Sequence, residues 1–326
     1  MKQMPETTRR PSVELTERDL KLLRGLFECR VMTLAHAAVF YFGGSVEAAT
    51  KRVQKLKAAG IVAERPRRVY EPSVLFLTKR AYALLHDRDV LADYPRLGWA
   101  VLEKRARVSE LTLRHELAVM DVRAAFTQAI AADPRYELAE FATWPLLYRF
   151  CAAPGIGRRD VLVRPDGFIR VTEQMPDGTK AEEVFFLELD RSTEPQATLA
   201  AKAACYGDYY RPGGLAARNG RPRSEYKLFP FRVLVVCRNA ERRNNAAQRM
   251  LLNNPPTLTQ AWLTTFDELI ADPLGAIWAQ PADYRAAVAG TAFDGRPGKA
   301  PEAYFRQVER EMLVERSLRK LRLLDR

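Results

Sequence analysis

Histidine is nearly missing from this chain: His36, His86 and His115 are the three in 326 residues. Cysteine is scarce too, and Cys29, Cys151, Cys205 and Cys237 follow no metal-ligand spacing. A zinc site draws closely spaced thiolates and imidazoles, so neither residue type supports one. The cysteines read as reduced, mostly buried thiols. No apolar run approaches the roughly 20 residues of a membrane span, and the first residues are polar and basic without an apolar signal core. The expectation is a cytoplasmic protein with no membrane partner. A glycine-rich phosphate loop, a Gly-x-Ser-x-Gly elbow and a zinc-protease helix are all lacking. ATPase, serine hydrolase and zinc-enzyme readings therefore have no support, and no nucleotide cofactor is expected.

What is present is ordinary core material and an excess of positive charge. Apolar residues make up 47 % and charged residues 28 %, the balance of a globular protein with a full core, and the length suits about two domains. The net charge of +12 predicts attraction to a polyanion, most often nucleic acid. Residues 1–110 hold 21 basic and 13 acidic side chains, and the remainder 31 and 27. Eight of the twelve excess charges thus lie in the first third.

That third reads as a polar, disordered tail over 1–14 and then a compact unit over 15–87. Thr16 and Asp19 form a short capping box for a first helix striped by Leu20, Leu23 and Phe27. A second helix over Thr33–Phe40 ends at Gly43-Gly44. Ser45 caps a third, Val46–Ala59, whose Val46, Ala49, Val53 and Leu56 share one stripe. Thr50, Lys51, Gln54 and Lys55 lie off that stripe and are types that reach phosphates and base edges. A β-hairpin follows, with Arg65, Arg67 and Arg68 at its tip, and a closing helix begins at Thr78. Three helices, a basic-tipped hairpin and a helix describe a winged helix-turn-helix, in which the third helix enters the major groove of double-stranded DNA. Ser45, Thr50, Lys51, Gln54, Lys55, Arg65, Arg67 and Arg68 are the candidate DNA contacts. A small helical domain with a solvated basic face, or a protein-docking module, would leave the same pattern.

Residues 88–109 mix Pro95, Gly98 and basic residues and read as a linker. Residues 110–300 alternate helix and strand signals, which indicates a mixed α/β sheet flanked by helices. Glu110–Ala132 is a long helix on which His115 and Glu116 sit side by side. Arg211–Arg223 reads as a mobile Gly/Arg-rich loop, Phe231–Cys237 as a strand covered on both faces, and Asp267 as a helix cap. Residues 301–326 form an amphipathic helix whose Val314, Leu318 and Leu321 suit packing on the body or on a second subunit.

The stretch from Arg164 to Tyr210 carries the chemistry. Pro176-Asp177-Gly178 is turn chemistry between two β-branched and aromatic arms, so a hairpin is expected. It brings Asp166 opposite the Leu187–Leu189 neighbourhood. Glu188 and Asp190 share one face of their strand, and register decides whether Asp166 joins them. Three converging carboxylates would suit a hard divalent cation such as Mg²⁺, although an ordinary turn and a solvated strand end fit the same residues.

Two sets of residues resemble a known family. They are Leu15-Thr16-Glu17-Arg18-Asp19 through Lys51–Leu56 and Gly60-Ile61-Val62, and Arg164-Pro165-Asp166-Gly167 with Phe185–Glu194, Lys202 and Tyr206. With His115-Glu116-Leu117 and Asp121-Val122-Arg123, the chain resembles the replication-relaxation family of bacterial plasmids and integrated mobile elements. The resemblance implies a DNA-binding protein linked to plasmid replication or DNA relaxation. The second half also resembles the restriction-endonuclease-like fold with its PD-(D/E)xK signature. That resemblance implies catalytic roles for Asp166 and Glu188, with Mg²⁺ on both. The lysine position holds Asp190, a departure that Lys202 would compensate, and Glu116 would match a helix carboxylate of some members. Three functions stay open at this point. They are DNA binding with a degenerate nuclease-like domain, a metal-dependent endonuclease or nickase using Asp166, Glu188 and Asp190, and a dimeric winged-helix transcriptional regulator joined through the C-terminal helix.

Overall fold

The computed structural model describes residues 11–144, 148–191, 194–291 and 300–324. Most of the expected tail, and the Ser192-Thr193 pair, lie outside them. The chain divides into two compact units, Met1–Thr127 and Gln128–Arg326.

The first unit begins with α1 (Glu17–Cys29), started by the expected capping box: the Thr16 hydroxyl accepts from the Asp19 N–H and the Asp19 carboxylate accepts from the Thr16 N–H. Asp19 is fully buried. Its charge is met by Arg52, whose Nε donates to Oδ1 at 2.9 Å. Strand β1 (Met32–Thr33), α2 (Leu34–Tyr41) and α3 (Val46–Ala58) follow, with Thr33 and Ser45 as N-caps. Strands β2 (Val62–Glu64) and β3 (Val74–Leu77) complete a three-stranded antiparallel sheet in the order β1-β3-β2, and α4 (Lys79–Asp87) starts at Thr78. The stripe Ala49, Val53, Leu56 is buried with Leu22, Leu23, Leu26 and Leu75, whereas Val46 is exposed.

Residues 88–109 are part of this unit. They contain α5 (Trp99–Ala106), and Leu91 and Leu102 are buried. Tyr82 Oη donates to the Leu97 carbonyl, and Arg65 donates to the carbonyls of Ala106 and Val108. Proline, glycine and charge suggest a linker; two buried leucines and three side-chain ties make the segment a packed strap instead. The long helix α6 (Glu110–Ala131) starts in this unit, with Leu113 against Val31 and Val74.

The second unit is built on a mixed five-stranded sheet, β10-β9-β8-β7-β4. Its strands are β4 (Tyr136–Ala142), β7 (Gly167–Gln174), β8 (Lys180–Asp190), β9 (Arg232–Cys237) and β10 (Ala261–Thr265). β4, β7 and β8 pair antiparallel, while β8, β9 and β10 run parallel. The β7–β8 turn forms where expected. Gly178 takes a positive φ of 82°, and the Asp177 carboxylate accepts from the backbone and hydroxyl of Thr179. β5 (Phe150–Ala152) and β6 (Val161–Val163) make a separate hairpin. Helices α7 (Gln196–Tyr210) and α9 (Ala240–Leu251) pack on each other. Beneath them is an aromatic cluster of Phe150, Phe168, Phe186, Tyr206, Tyr209 and Phe231.

The Gly/Arg-rich stretch is folded. It holds α8 (Gly214–Arg218) and a 3₁₀ turn, Arg223–Leu228. The two come so close that a Cβ on Gly213 would stand 2.3 Å from the Arg223 carbonyl oxygen. Helix α10 (Phe266–Ala271) is capped by Thr265, with Asp267 inside its first turn. After α11 (Pro281–Gly290), the last helix α12 (Ala300–Ser317) leads to Leu318. Val314 and Leu318 are buried against Ala279 and Ala287, so this stripe packs on the chain's own body. Glu315 joins them through an ion pair with the buried Arg243. No helix among the described residues is long and apolar enough to cross a membrane.

Candidate functional site

Strand register assembles the carboxylate centre. Gly167 pairs with Leu187 at the end of the β7–β8 ladder, and Asp166, the residue before it, lies near enough to Glu188 to act on its ionisation. Glycine suits the pairing, since a Cβ on Gly167 would press to 3.3 Å from the Leu187 side chain. The Asp166 N–H donates to the Leu187 carbonyl, and the Leu189 N–H donates to Asp166 Oδ2 at 2.8 Å.

Glu188 is 2 % exposed. Tyr206 Oη donates to its Oε1 at 2.5 Å, and Lys202 Nζ stands 3.4 Å from Oε2. Lys202 also pairs with Glu194 at 3.1 Å. Four residues along α7 separate Lys202 from Tyr206, so one helix face presents both to β8. Burial raises the Glu188 pKa, and Asp166 adds to the rise against the lowering by Lys202 and Tyr206, leaving it at about 7. Burial works against the Lys202 ammonium, but Glu188, Asp166 and Glu194 outweigh it and hold its pKa above the ordinary value. Tyr206 is raised by burial and then by Glu188.

Asp190 is handled differently. Arg242 on α9 grips it with Nε at 2.5 Å from Oδ2 and Nη2 at 3.1 Å from Oδ1, and the same guanidinium bonds the Glu194 carbonyl. The parallel register sets Asp190 beside Cys237, so the chain leaving β9 passes the end of β8 and the helix it enters delivers the arginine. The sequence reading missed Arg242; the signal is a basic first turn on the helix after the parallel neighbour of β8. Glu116 lies in the first unit, where it pairs with Arg30 at 3.1 Å.

The structure thus brings Asp166, Glu188 and Lys202 together, gives Asp190 to Arg242, and leaves Glu116 in the other unit. As a Mg²⁺ site the donor set fits poorly. Both Glu188 oxygens are engaged, one Asp166 oxygen takes a backbone N–H, and Asp190 is neutralised. No cluster of three or more possible acidic, histidine or cysteine ligands occurs among the described residues. The cation facing these carboxylates is the lysine ammonium.

In the first unit, the eight candidate DNA contacts separate into two groups. Ser45 Oγ accepts from the Ala48 N–H as the cap of α3, and Thr50 Oγ1 donates back to the Val46 carbonyl. Arg65 binds the Ala106 and Val108 carbonyls; Arg67 binds Glu64 and the Val69 and Glu71 carbonyls. These four build the scaffold. Lys51, Gln54 and Lys55 stand exposed along α3, with Lys51 in an open i,i+4 pair with Glu47. Arg68 is exposed at the hairpin tip and donates to Tyr70 Oη. Val69 and Tyr70, 97 % and 78 % exposed beside it, were not singled out from sequence.

A sequence model of a family described as replication-relaxation matches residues 23–222, a stretch that includes α3, the β2–β3 hairpin, Asp166, Glu188 and Lys202. Searches of curated proteins and of solved structures find no match.

Proposed function

The chain belongs to the replication-relaxation family, and from that premise we propose that it is a duplex-DNA-binding protein of a plasmid or integrated mobile element. In this reading residues 15–87 work as a winged helix-turn-helix. The face of α3 carrying Lys51, Gln54 and Lys55 enters the major groove, and the β2–β3 tip with Arg68 lies on the flanking backbone. The observation that carries the reading is the split of α3, buried at Ala49, Val53 and Leu56 and exposed at Lys51, Gln54 and Lys55. Helix and hairpin also precede the carboxylate centre within the matched stretch. The second unit acts as a nuclease-like scaffold whose carboxylates are held by protein cations.

The expected result is salt-dependent duplex binding in which Lys51→Ala with Lys55→Ala weakens affinity about tenfold and flattens the slope of log affinity against log salt by ~2. Fluorescence anisotropy with a labelled duplex at several salt concentrations measures both. Unchanged affinity and slope would remove α3 from the interface.

A second reading, a metal-dependent endonuclease or nickase, is favoured by one observation, the lysine on α7 standing against Glu188 with Asp166 nearby. It requires a divalent cation to displace the Lys202 ammonium from Glu188.

A further inference from the structure

The connection between β5 and β6 forms one wall of a cavity of about 510 Å³ on the second unit. Pro154, Arg158 and Arg159 line it from that side, Ala197 and Ala201 from α7, and Asn253 from the turn after α9. Several other arginines of this unit are committed. Arg170, Arg221, Arg232, Arg242 and Arg243 each hold a carboxylate. No carboxylate among the described residues pairs with Arg158 or Arg159, and both are exposed.

The walls are fixed before any ligand arrives. The Ala153 N–H donates to Asp208 on α7 at 2.9 Å, the Ile156 N–H to the Asn254 carbonyl at 3.3 Å, and the Arg158 N–H to the Gly155 carbonyl at 3.1 Å. Asn253 Nδ2 donates to the Ala200 carbonyl and to Thr257 Oγ1. Two alanines on α7 leave room beside the helix where larger residues would fill it. Arg158 and Arg159 both belong to the lining, and each carries a guanidinium fork. A tetrahedral oxyanion accepts several N–H bonds from such forks, and a wall ordered in advance lowers the cost of binding it.

We propose that this cavity holds a phosphate group of a nucleic-acid strand. Ala197 and Ala201 give it one face of α7, and Lys202, the next residue, lies on the neighbouring face that meets Glu188. The site is separate from the duplex face of the first unit and does not depend on it.

The test uses the full chain with Lys51, Lys55 and Arg68 changed to alanine, titrated by anisotropy with a labelled single-stranded oligonucleotide, with and without a 5′-phosphate, and with inorganic phosphate as competitor. The proposal expects Arg158→Ala with Arg159→Ala to weaken strand binding at least tenfold and to reduce the salt slope by ~0.7, the value for one phosphate on a single strand. Arg158→Lys with Arg159→Lys, which keeps charge and loses the forks, should fall between. Equal binding of both oligonucleotides assigns the backbone; preference for the phosphorylated one assigns the strand end. Arg158→Gln with Arg159→Gln repeats the comparison should the alanine pair lower the unfolding midpoint. Absence of strand binding, or equal affinity and slope in the glutamine pair, overturns the site. Because the duplex face is already removed, neither result bears on the α3 reading.

Discussion

Arg242→Met is expected to destabilise the protein by ~3–5 kcal/mol at neutral pH, the usual cost of removing one partner from a buried ion pair. Asp190 has a side chain only 3 % exposed, and Arg242 supplies bonds to both of its oxygens. Without the guanidinium the nearly buried carboxylate loses both of those bonds. The Glu194 carbonyl loses a donor as well. The same argument predicts the rescue. Arg242→Met combined with Asp190→Leu removes both charges and should recover most of the loss, since an apolar pair of similar volume often equals a buried ion pair. Urea unfolding of the wild type, both single variants and the double variant gives the coupling energy. A single-variant cost below about 1 kcal/mol, or no recovery in the double, would mean that the fork contributes little to stability.

Glu188→Gln should change how stability depends on pH. In the folded chain the Glu188 pKa lies at about 7, above its ordinary 4.5, so between these values the folded state keeps a proton that the unfolded state has released. The stabilisation from that proton is complete below about 4.5 and is lost as pH rises through about 7. At ~1.4 kcal/mol per unit the swing reaches at most ~3.5 kcal/mol. Glutamine does not titrate and can still accept from Tyr206. The variant should therefore gain on the wild type across this window, measured by urea unfolding at pH 4.5, 6 and 7.5. Parallel stability curves would show that Glu188 ionises at its ordinary pKa.

How much of this was legible follows from the range of each interaction. The Asp166–Glu188 apposition was readable because a short turn fixes the register of its two arms, and Pro176-Asp177-Gly178 marked that turn. The caps at Thr16 and Ser45 were readable for the same local reason. The fate of Asp190 was not, because it depends on β9 lying parallel beside β8, and Arg242 is 52 residues away. Arg65 and Arg67 looked like DNA contacts from charge alone. The partners of Arg65, the carbonyls of residues 106 and 108, appear only once the strap of residues 88–109 has folded, and those of Arg67 lie in the turn of its own hairpin. The Arg211–Arg223 stretch read as a mobile loop from its glycines and arginines, yet Leu215 and Ala216 are buried in the short helix it forms.

The central claim is that duplex binding resides in the first unit while the carboxylates of the second are held by lysine and arginine in place of a metal. One plasmid experiment tests it most directly. Supercoiled plasmid is incubated with the purified chain in Mg²⁺, Mn²⁺ or EDTA, comparing wild type, Asp166→Ala and Glu188→Ala, and the products are resolved with and without removal of protein. The account predicts a retarded plasmid band in all three metal conditions and no nicked or linear product. Nicking that needs the divalent cation and disappears in both variants would contradict it and establish the endonuclease reading.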